Sequence, residues 1–305
     1  MIQDVLEVRN LTKKFKDFVA VDDISFELRH AEVLGLLGPN GAGKTTTIQM
    51  LLDLMTPSSG TINYFGKDLK RHREEILKEV NFSSTYVSLP WFFTVNEILD
   101  VFARLYEVPD RKKRIAKLLE EFEIDHLRKR QYFMLSAGER TRLLLTKAFL
   151  NYPKIILLDE PTSSLDPDIA VKIRKFLIKE RDEYNVSVLL TSHNMAEVEE
   201  LCDRVLVIKS GKIVVSGTPS SLTQTISECS IELNLDNAKK ASEFFNARQI
   251  NFEINKSRFK IKMDEKKISG FLSLLSSEDL EYTEISIFKP DLEDFFLNIV
   301  SKKND

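Results

Sequence analysis

The sequence predicts an α/β core on a largely parallel sheet, with an antiparallel β edge and a helical insert, followed by a small α+β domain of ferredoxin-like design. Three observations carry this. Short apolar runs alternate with helical spacings through the first two thirds of the chain, the signature of strands and helices in succession. One of those runs ends in GLLGPNGAGKTTT, Gly35 to Thr47, which opens directly into a helical pattern. From about Leu222 the texture changes to short strands with strict alternation.

The chain has 305 residues, 43% hydrophobic and 30% charged, enough for two folding units at roughly 100–200 residues each. We place the first at 1–221 and the second at 222–305. Strand-like runs in the first are Val5–Val8, Asp23–Leu28, Glu32–Leu37, Ile155–Leu158, Val186–Leu190 and Val205–Ile208. The stretch from about 70 to 150 reads as a mostly helical insert. Within it Thr94 and Glu97 form a capping box ahead of an apolar stripe at Val95, Ile98, Leu99, Phe102 and Tyr106. VLVIKSGKIVVSGTP reads as a hairpin turning at Ser210-Gly211, the antiparallel edge.

In the second unit, alternation at Ile231/Leu233/Leu235, Ile250/Phe252/Ile254, Phe259/Ile261/Met263 and Ile285/Ile287 marks strands. Helical spacing at Ala238/Ala241/Phe245, Ile268/Phe271/Leu272/Leu275 and Leu292/Phe295/Phe296/Ile299 falls between and after them. The order β-α-β-β-α-β-α predicts a split βαβ sandwich with a final helix.

Composition excludes several functions. A formal net charge of −3 argues against gripping nucleic acid by bulk charge, so no nucleic-acid partner is expected. The basic run Arg111–Arg114 leads into helical spacing and reads as a solvated helix start. Cys202 and Cys229 form no CxxC, so both read as reduced and structural, with no metal cluster. The N-terminus lacks the blocks of a signal peptide, and no window reaches the ~18 apolar residues of a spanning helix. The expectation is a cytoplasmic protein that meets a membrane only through a partner.

The chemistry concentrates in four places. Gly38 to Thr45 matches G-x-x-x-x-G-K-[ST] in the strand-then-helix context that a phosphate loop (P-loop) requires. The loop from Gly38, Pro39, Asn40, Gly41, Ala42 and Gly43 through Lys44, Thr45 and Thr46 is expected to bind ATP, its backbone N–H groups (Pro39 has none) cradling phosphates at a helix N-terminus. Lys44 reaches the β- and γ-phosphates, and the Thr45 hydroxyl is a Mg²⁺ ligand. In IILLDEPTSSLD, Asp159 and Glu160 end an apolar strand. Asp159 suits Mg²⁺, and Glu160 suits polarisation of the water that attacks the γ-phosphate. His193 follows another strand, at the sheet edge where α/β folds bind ligands, and is assigned to the γ-phosphate. Ser136 and Glu139 form a second capping box, which by itself requires no ligand.

Taken in order, the phosphate loop, Leu-Ser-Ala-Gly-Glu at 135–139, ILLDEPTSSLD and the post-strand His193 resemble the ATP-binding subunits of ABC transporters from the N-terminus to about Pro219. The resemblance implies a head-to-tail dimer, of identical or related subunits, sandwiching two ATP. Ser136, the Gly138 backbone and their helix end would contact the γ-phosphate held by the partner's Lys44. Phe15 sits where the family stacks an aromatic on adenine. Ser163–Asp166 resembles the loop that couples the two sites, which places Asp166 near the nucleotide. The tail from Pro290, PDLEDFFLNIV, resembles the end of an extension in export-type members that work with separate integral membrane permeases.

Three departures stand out. Ala137 and Glu139 replace the family's usual Gly and Gln. Between Val80 and Val95 no glutamine occurs where the family has one that reaches Mg²⁺ and links to the permease; Thr85 or Ser84 falls nearest. Trp91-Phe92-Phe93 beside this stretch reads as a permease-docking surface or as packing inside the insert. The expected function is that of an ATPase subunit powering export from the inner face of the membrane. The alternatives are a non-transport ABC ATPase and an ATP-binding switch that barely hydrolyses.

Overall fold

A computed structural model describes residues 4–84, 87–226 and 228–301. The chain divides into two compact units, Met1–Pro219 and Ser220–Asp305. Among the described residues the strands form three sheets, two in the first unit and one in the second.

In the first unit, β1 (Asp4–Phe15), β2 (Phe18–Arg29), β4 (Ser59–Tyr64) and β5 (Lys67–Asp68) make an antiparallel sheet in the order β2-β1-β4-β5. The larger sheet runs β10-β9-β3-β8-β7-β6, where β3 is Val33–Leu37, β6 Val80–Ser84, β7 Ile155–Asp159, β8 Ser187–Thr191, β9 Arg204–Lys209 and β10 Lys212–Gly217. All its neighbours are parallel except the β9–β10 hairpin, whose turn residues Ser210 and Gly211 both have positive φ. β3, β7 and β8 are buried along their whole length, as befits parallel strands covered on both faces.

The helices are α1 (Lys44–Leu51), α2 (Arg73–Leu77), α3 (Val95–Leu105), α4 (Arg111–Glu121), α5 (Ala137–Ala148), α6 (Pro167–Tyr184), α7 (Met195–Leu201) and, at the junction of the units, α8 (Pro219–Thr223). Both predicted capping boxes are made, Thr94–Glu97 on α3 and Ser136–Glu139 on α5.

The 70–150 stretch carries α2–α5, and within it one strand escapes the sequence reading: Val80–Ser84 belongs to the core sheet, paired in parallel with β7. Asn81 and Ser83 interrupt its apolar run and hide it from a hydrophobicity reading. Asn81 is nonetheless buried, its amide donating to the Ala148 carbonyl and to the Asn151 side chain. The first two strands also run longer than their apolar patterns indicate.

In the second unit the order is β11 (Glu228–Leu235), α9 (Ala238–Ala247), β12 (Phe252–Asn255), β13 (Arg258–Asp264), α10 (Ile268–Ser277), β14 (Tyr282–Phe288) and α11 (Leu292–Ser301). The antiparallel sheet runs β12-β13-β11-β14, the split βαβ arrangement. Its core gathers Ile231, Leu233, Phe245, Phe259, Ile261 and Leu275.

Candidate functional site

Parallel neighbours bring the carboxyl ends of β6, β7 and β8 to one edge, where the registers pair Ser84 with Asp159 and Asp159 with Thr191. These three residues therefore stand in a row across the sheet. The Thr191 hydroxyl donates to Oδ1 of Asp159 at 2.6 Å, and the Ser84 hydroxyl to Oδ2 at 3.4 Å. Asp159 is only 5% exposed, and these bonds hold its carboxylate at the sheet edge.

On the other side of β8, β3 delivers the glycine-rich loop to the same edge. Gly43 has φ +110°, and a Cβ on it would lie 2.5 Å from the Ala20 carbonyl oxygen. A Cβ on Gly38 would run into the carbonyl oxygen of Ile208. Both positions exclude a side chain by close backbone approach, which leaves the loop's concave face to its amides. Lys44 lies back along the loop, its Nζ donating to the carbonyls of Gly38 at 2.5 Å and Pro39 at 3.1 Å. Burial lowers the pKa of this ammonium, and the carboxylates of Glu160 and Asp159 oppose that shift.

A cavity of about 270 Å³ opens between the loop and the strand ends, lined by Phe18, Ala20, residues 40–46, Asp159 and Glu160. Thr45, Lys44 and Asp159 thus line one cavity. A glycine cradle, a lysine held by carbonyls, a threonine hydroxyl and a carboxylate fit a triphosphate with its divalent cation.

Glu160 follows β7 with φ 55°, a left-handed conformation costly for a residue with a Cβ. The strain is held by its own amide, which donates to both the backbone oxygen and the hydroxyl of Thr191 at 3.2 Å. This turn points the carboxylate out of the strand toward His193, whose Nδ1 is 2.6 Å from Oε2. The histidine side chain itself is mostly exposed.

A family profile described as ABC transporter matches residues 21–163. The chain is 36% identical over 233 residues to the Nod factor export ATP-binding protein I of Cupriavidus metallidurans, an alignment covering 74% of this chain and 75% of that one. The chain belongs to the ABC transporter ATP-binding family. It is also 29% identical, over 100% of its length and 98% of the other's, to an uncharacterized ABC transporter ATP-binding protein of Bacillus subtilis. A solved structure of the ATP binding subunit of an ABC transporter superposes with a TM-score of 0.68 at 26% identity, covering 72% of this chain and 92% of that one. ABC cassettes hydrolyse ATP to power transport, and the chain is an ATPase of that family.

The predicted residues of this ABC cassette fall into two groups. Asn40–Thr46, Asp159 and Glu160 line one cavity, with His193 at Glu160 and Gly38 and Pro39 behind Lys44. Ser136, Gly138 and Asp166 do not line it. Ser136 and Gly138 begin α5, and Asp166 is the N-cap residue of α6 without a side-chain cap bond. Phe15 does not line it either: it pairs with Phe18 across the β1–β2 turn, and Phe18 is the aromatic at the cavity. Thr85 lies outside the described residues.

Glu139 turns back on its own helix end. Its Oε2 accepts the Ser136 amide at 2.8 Å, and Oε1 faces Arg130 at 3.2 Å. The carboxylate that departs from the family's usual residue is thereby used up in the cap and paired with a cation. Trp91, Phe92 and Phe93 are 58%, 77% and 44% exposed, so none of the three is buried in the interior of the insert. Phe92 meets Phe133 edge to face at 6.1 Å, and Met134 is exposed beside it.

Sequence reasoning missed Thr191, Phe18, Thr162 and Glu197. The last two are in contact, the Thr162 hydroxyl donating to the buried Glu197 carboxylate at 2.7 Å. No motif announces these residues: Thr191, Thr162 and Glu197 matter through partners more than 30 positions away, and Phe18 through the cavity it lines.

Proposed function

We propose that this chain is the ATP-hydrolysing subunit of an ABC exporter, working as a head-to-tail dimer of identical or related subunits on a separate integral membrane permease. The single observation that carries the reading is Glu160 held 2.6 Å from His193 at the mouth of a cavity walled by the phosphate loop. Export is supported by the likeness to a protein named for Nod factor export. Among the described residues no helix is long and apolar enough to cross a membrane, which favours attachment to the inner face of the membrane through the permease. The exposed Trp91, Phe92, Phe93, Phe133 and Met134 supply an apolar patch suited to that docking.

In this mechanism the loop amides and Lys44 bind the β- and γ-phosphates of ATP. Thr45 and Asp159 would hold Mg²⁺, which when bound neutralises charge on the phosphate oxygens. Glu160 accepts hydrogen-bonding from the attacking water and orients it in line. His193 steadies the Glu160 carboxylate and faces the γ-phosphate. Phe18 offers an aromatic surface to the nucleotide beside Phe15. Ser136 and the amides at the start of α5 close the site on the partner's ATP, with Asp166 in the loop that links the two sites. The second unit, residues 220–305, supports or regulates the dimer.

The test is steady-state ATP turnover of the purified chain alongside a detergent pull-down of tagged Glu160→Gln with ATP. Abolished turnover with a polytopic membrane protein recovered in near-equal amount is the expected result. Ribosomal or DNA-bound proteins without a membrane protein would indicate a non-transport ATPase. One observation favours a second reading, a slow ATP-binding switch: the stretch from Val80 to Val95 has no glutamine. Steady turnover abolished by Glu160→Gln excludes it.

A further inference from the structure

Glu197 lies in the first turn of α7 and is 2% exposed. Among the described residues its side chain accepts from the hydroxyls of Thr162 and Ser192 rather than pairing with a cation. Thr162 donates to both carboxylate oxygens, at 2.7 and 2.8 Å, and Ser192 donates to Oε2 at 2.8 Å. Its backbone amide is capped by the Asn194 side chain at 3.2 Å. A charge this deeply buried is costly unless its hydrogen bonds are made, so the arrangement calls for an explanation beyond filling space.

The positions of the donors supply it. Thr162 is two residues after Glu160, and Ser192 is one residue before His193. The two turns are already joined above by Thr191, which bonds Asp159 and the Glu160 amide. Glu197 joins them below. The Glu160–His193 contact therefore sits inside a ring of hydrogen bonds closed by one carboxylate.

We propose that Glu197 is a positioning residue for ATP hydrolysis: its carboxylate ties the Glu160 turn to the His193 turn through Thr162 and Ser192, and so sets the 2.6 Å approach of Glu160 to His193. The inference rests on Glu160 and His193 acting together as proposed above. It makes Glu197 act through other residues, with no contact to nucleotide required.

The experiment compares Mg-ATP turnover of the full chain in wild type, Glu160→Gln, Glu197→Gln, Thr162→Val, Thr162→Ser and the Glu197→Gln/Thr162→Val double variant, with ATP affinity and thermal unfolding measured on each. Glutamine keeps the shape but replaces one acceptor oxygen with a donor, so Thr162 and Ser192 cannot both donate to it as they do to the carboxylate. Misplacing a reacting group by about an ångström costs on the order of 10²-fold, so kcat should fall roughly 10- to 100-fold in Glu197→Gln and Thr162→Val, with KM for ATP within about twofold. Thr162→Ser should restore turnover, and the double variant should be no worse than either single change, as expected for two members of one contact. A merely structural brace would lower unfolding temperature and ATP affinity together without that kcat-only loss, and this result would overturn the proposal. So would wild-type turnover in folded Glu197→Gln and Thr162→Val while Glu160→Gln is inactive. If Glu160→Gln itself turns over normally, the underlying reading of the site is at fault instead.

Discussion

Thr191 donates its hydroxyl to Oδ1 of Asp159 across 2.6 Å, at the buried end of two neighbouring parallel strands. The Thr191 hydroxyl oxygen in turn accepts from the Glu160 amide at 3.2 Å. One side chain thus orients the carboxylate assigned to Mg²⁺ and holds the strained turn that carries the carboxylate assigned to water.

Thr191→Val keeps the shape and removes both bonds. Leaving a buried carboxylate oxygen short of a donor costs about 1–3 kcal/mol, so the urea midpoint should fall accordingly. Turnover should fall with it, and the Mg²⁺ concentration for half-maximal activity should rise. An unchanged Mg²⁺ requirement in a folded, active variant would show that Asp159 needs no such support.

The α5 cap separates stability from function. Ser136→Ala loses one arm of the capping box, worth about 1 kcal/mol, and should also abolish ATP-dependent dimerisation. Glu139→Gln can still cap the helix, so unfolding should change by less than ~0.5 kcal/mol. On the proposal that the α5 end meets the partner's γ-phosphate, removing a negative charge there should lower the ATP concentration needed for the dimer, read by size-exclusion chromatography with Glu160→Gln as background.

The missing glutamine is tested by supplying it. From β6, Ser84 gives Asp159 only a hydroxyl at 3.4 Å, a shorter reach than a glutamine. Thr85→Gln should raise kcat several-fold, on the scale of one added water-orienting contact. No change in turnover or ATP affinity would remove this stretch from the account.

Glu180 gives a pH-dependent prediction away from the nucleotide. Burial raises its pKa, with Arg114 the leading opposing charge. The folded protein therefore holds this proton more tightly than the unfolded chain, a stabilising contribution present below the unfolded carboxylate pKa and lost as pH rises through the folded one. Glu180→Gln, which stays neutral throughout, should raise the melting temperature at pH 7.5 and lose that advantage near pH 4. An equal difference at both values would mean that the charge is not the cause.

How far the site could be read in advance follows from contact distance along the chain. Gly38–Thr46 does its work through its own backbone, so a contiguous string specifies it. The capping boxes at Thr94–Glu97 and Ser136–Glu139 span three residues and form as expected. Val80–Ser84 escaped because a buried strand with Asn81 in it no longer looks apolar; the partners that satisfy that amide, Ala148 and Asn151, lie some 70 residues on. Phe15 and Phe18 have equal claim as aromatics, and only the cavity walls distinguish them.

The sequence by itself determined the nucleotide loop, the acidic strand end and the order of elements in the second unit, since these depend on local backbone conformation and on apolar periodicity. Tertiary structure alone decided the row Ser84–Asp159–Thr191, the Glu160–His193 approach and the Glu197 bridge. Apart from the Ser192 arm of that bridge, those contacts join residues 32 to 75 positions apart on strands, or on turns just after them, brought side by side by parallel register, and register is settled when both faces of a sheet are buried at once.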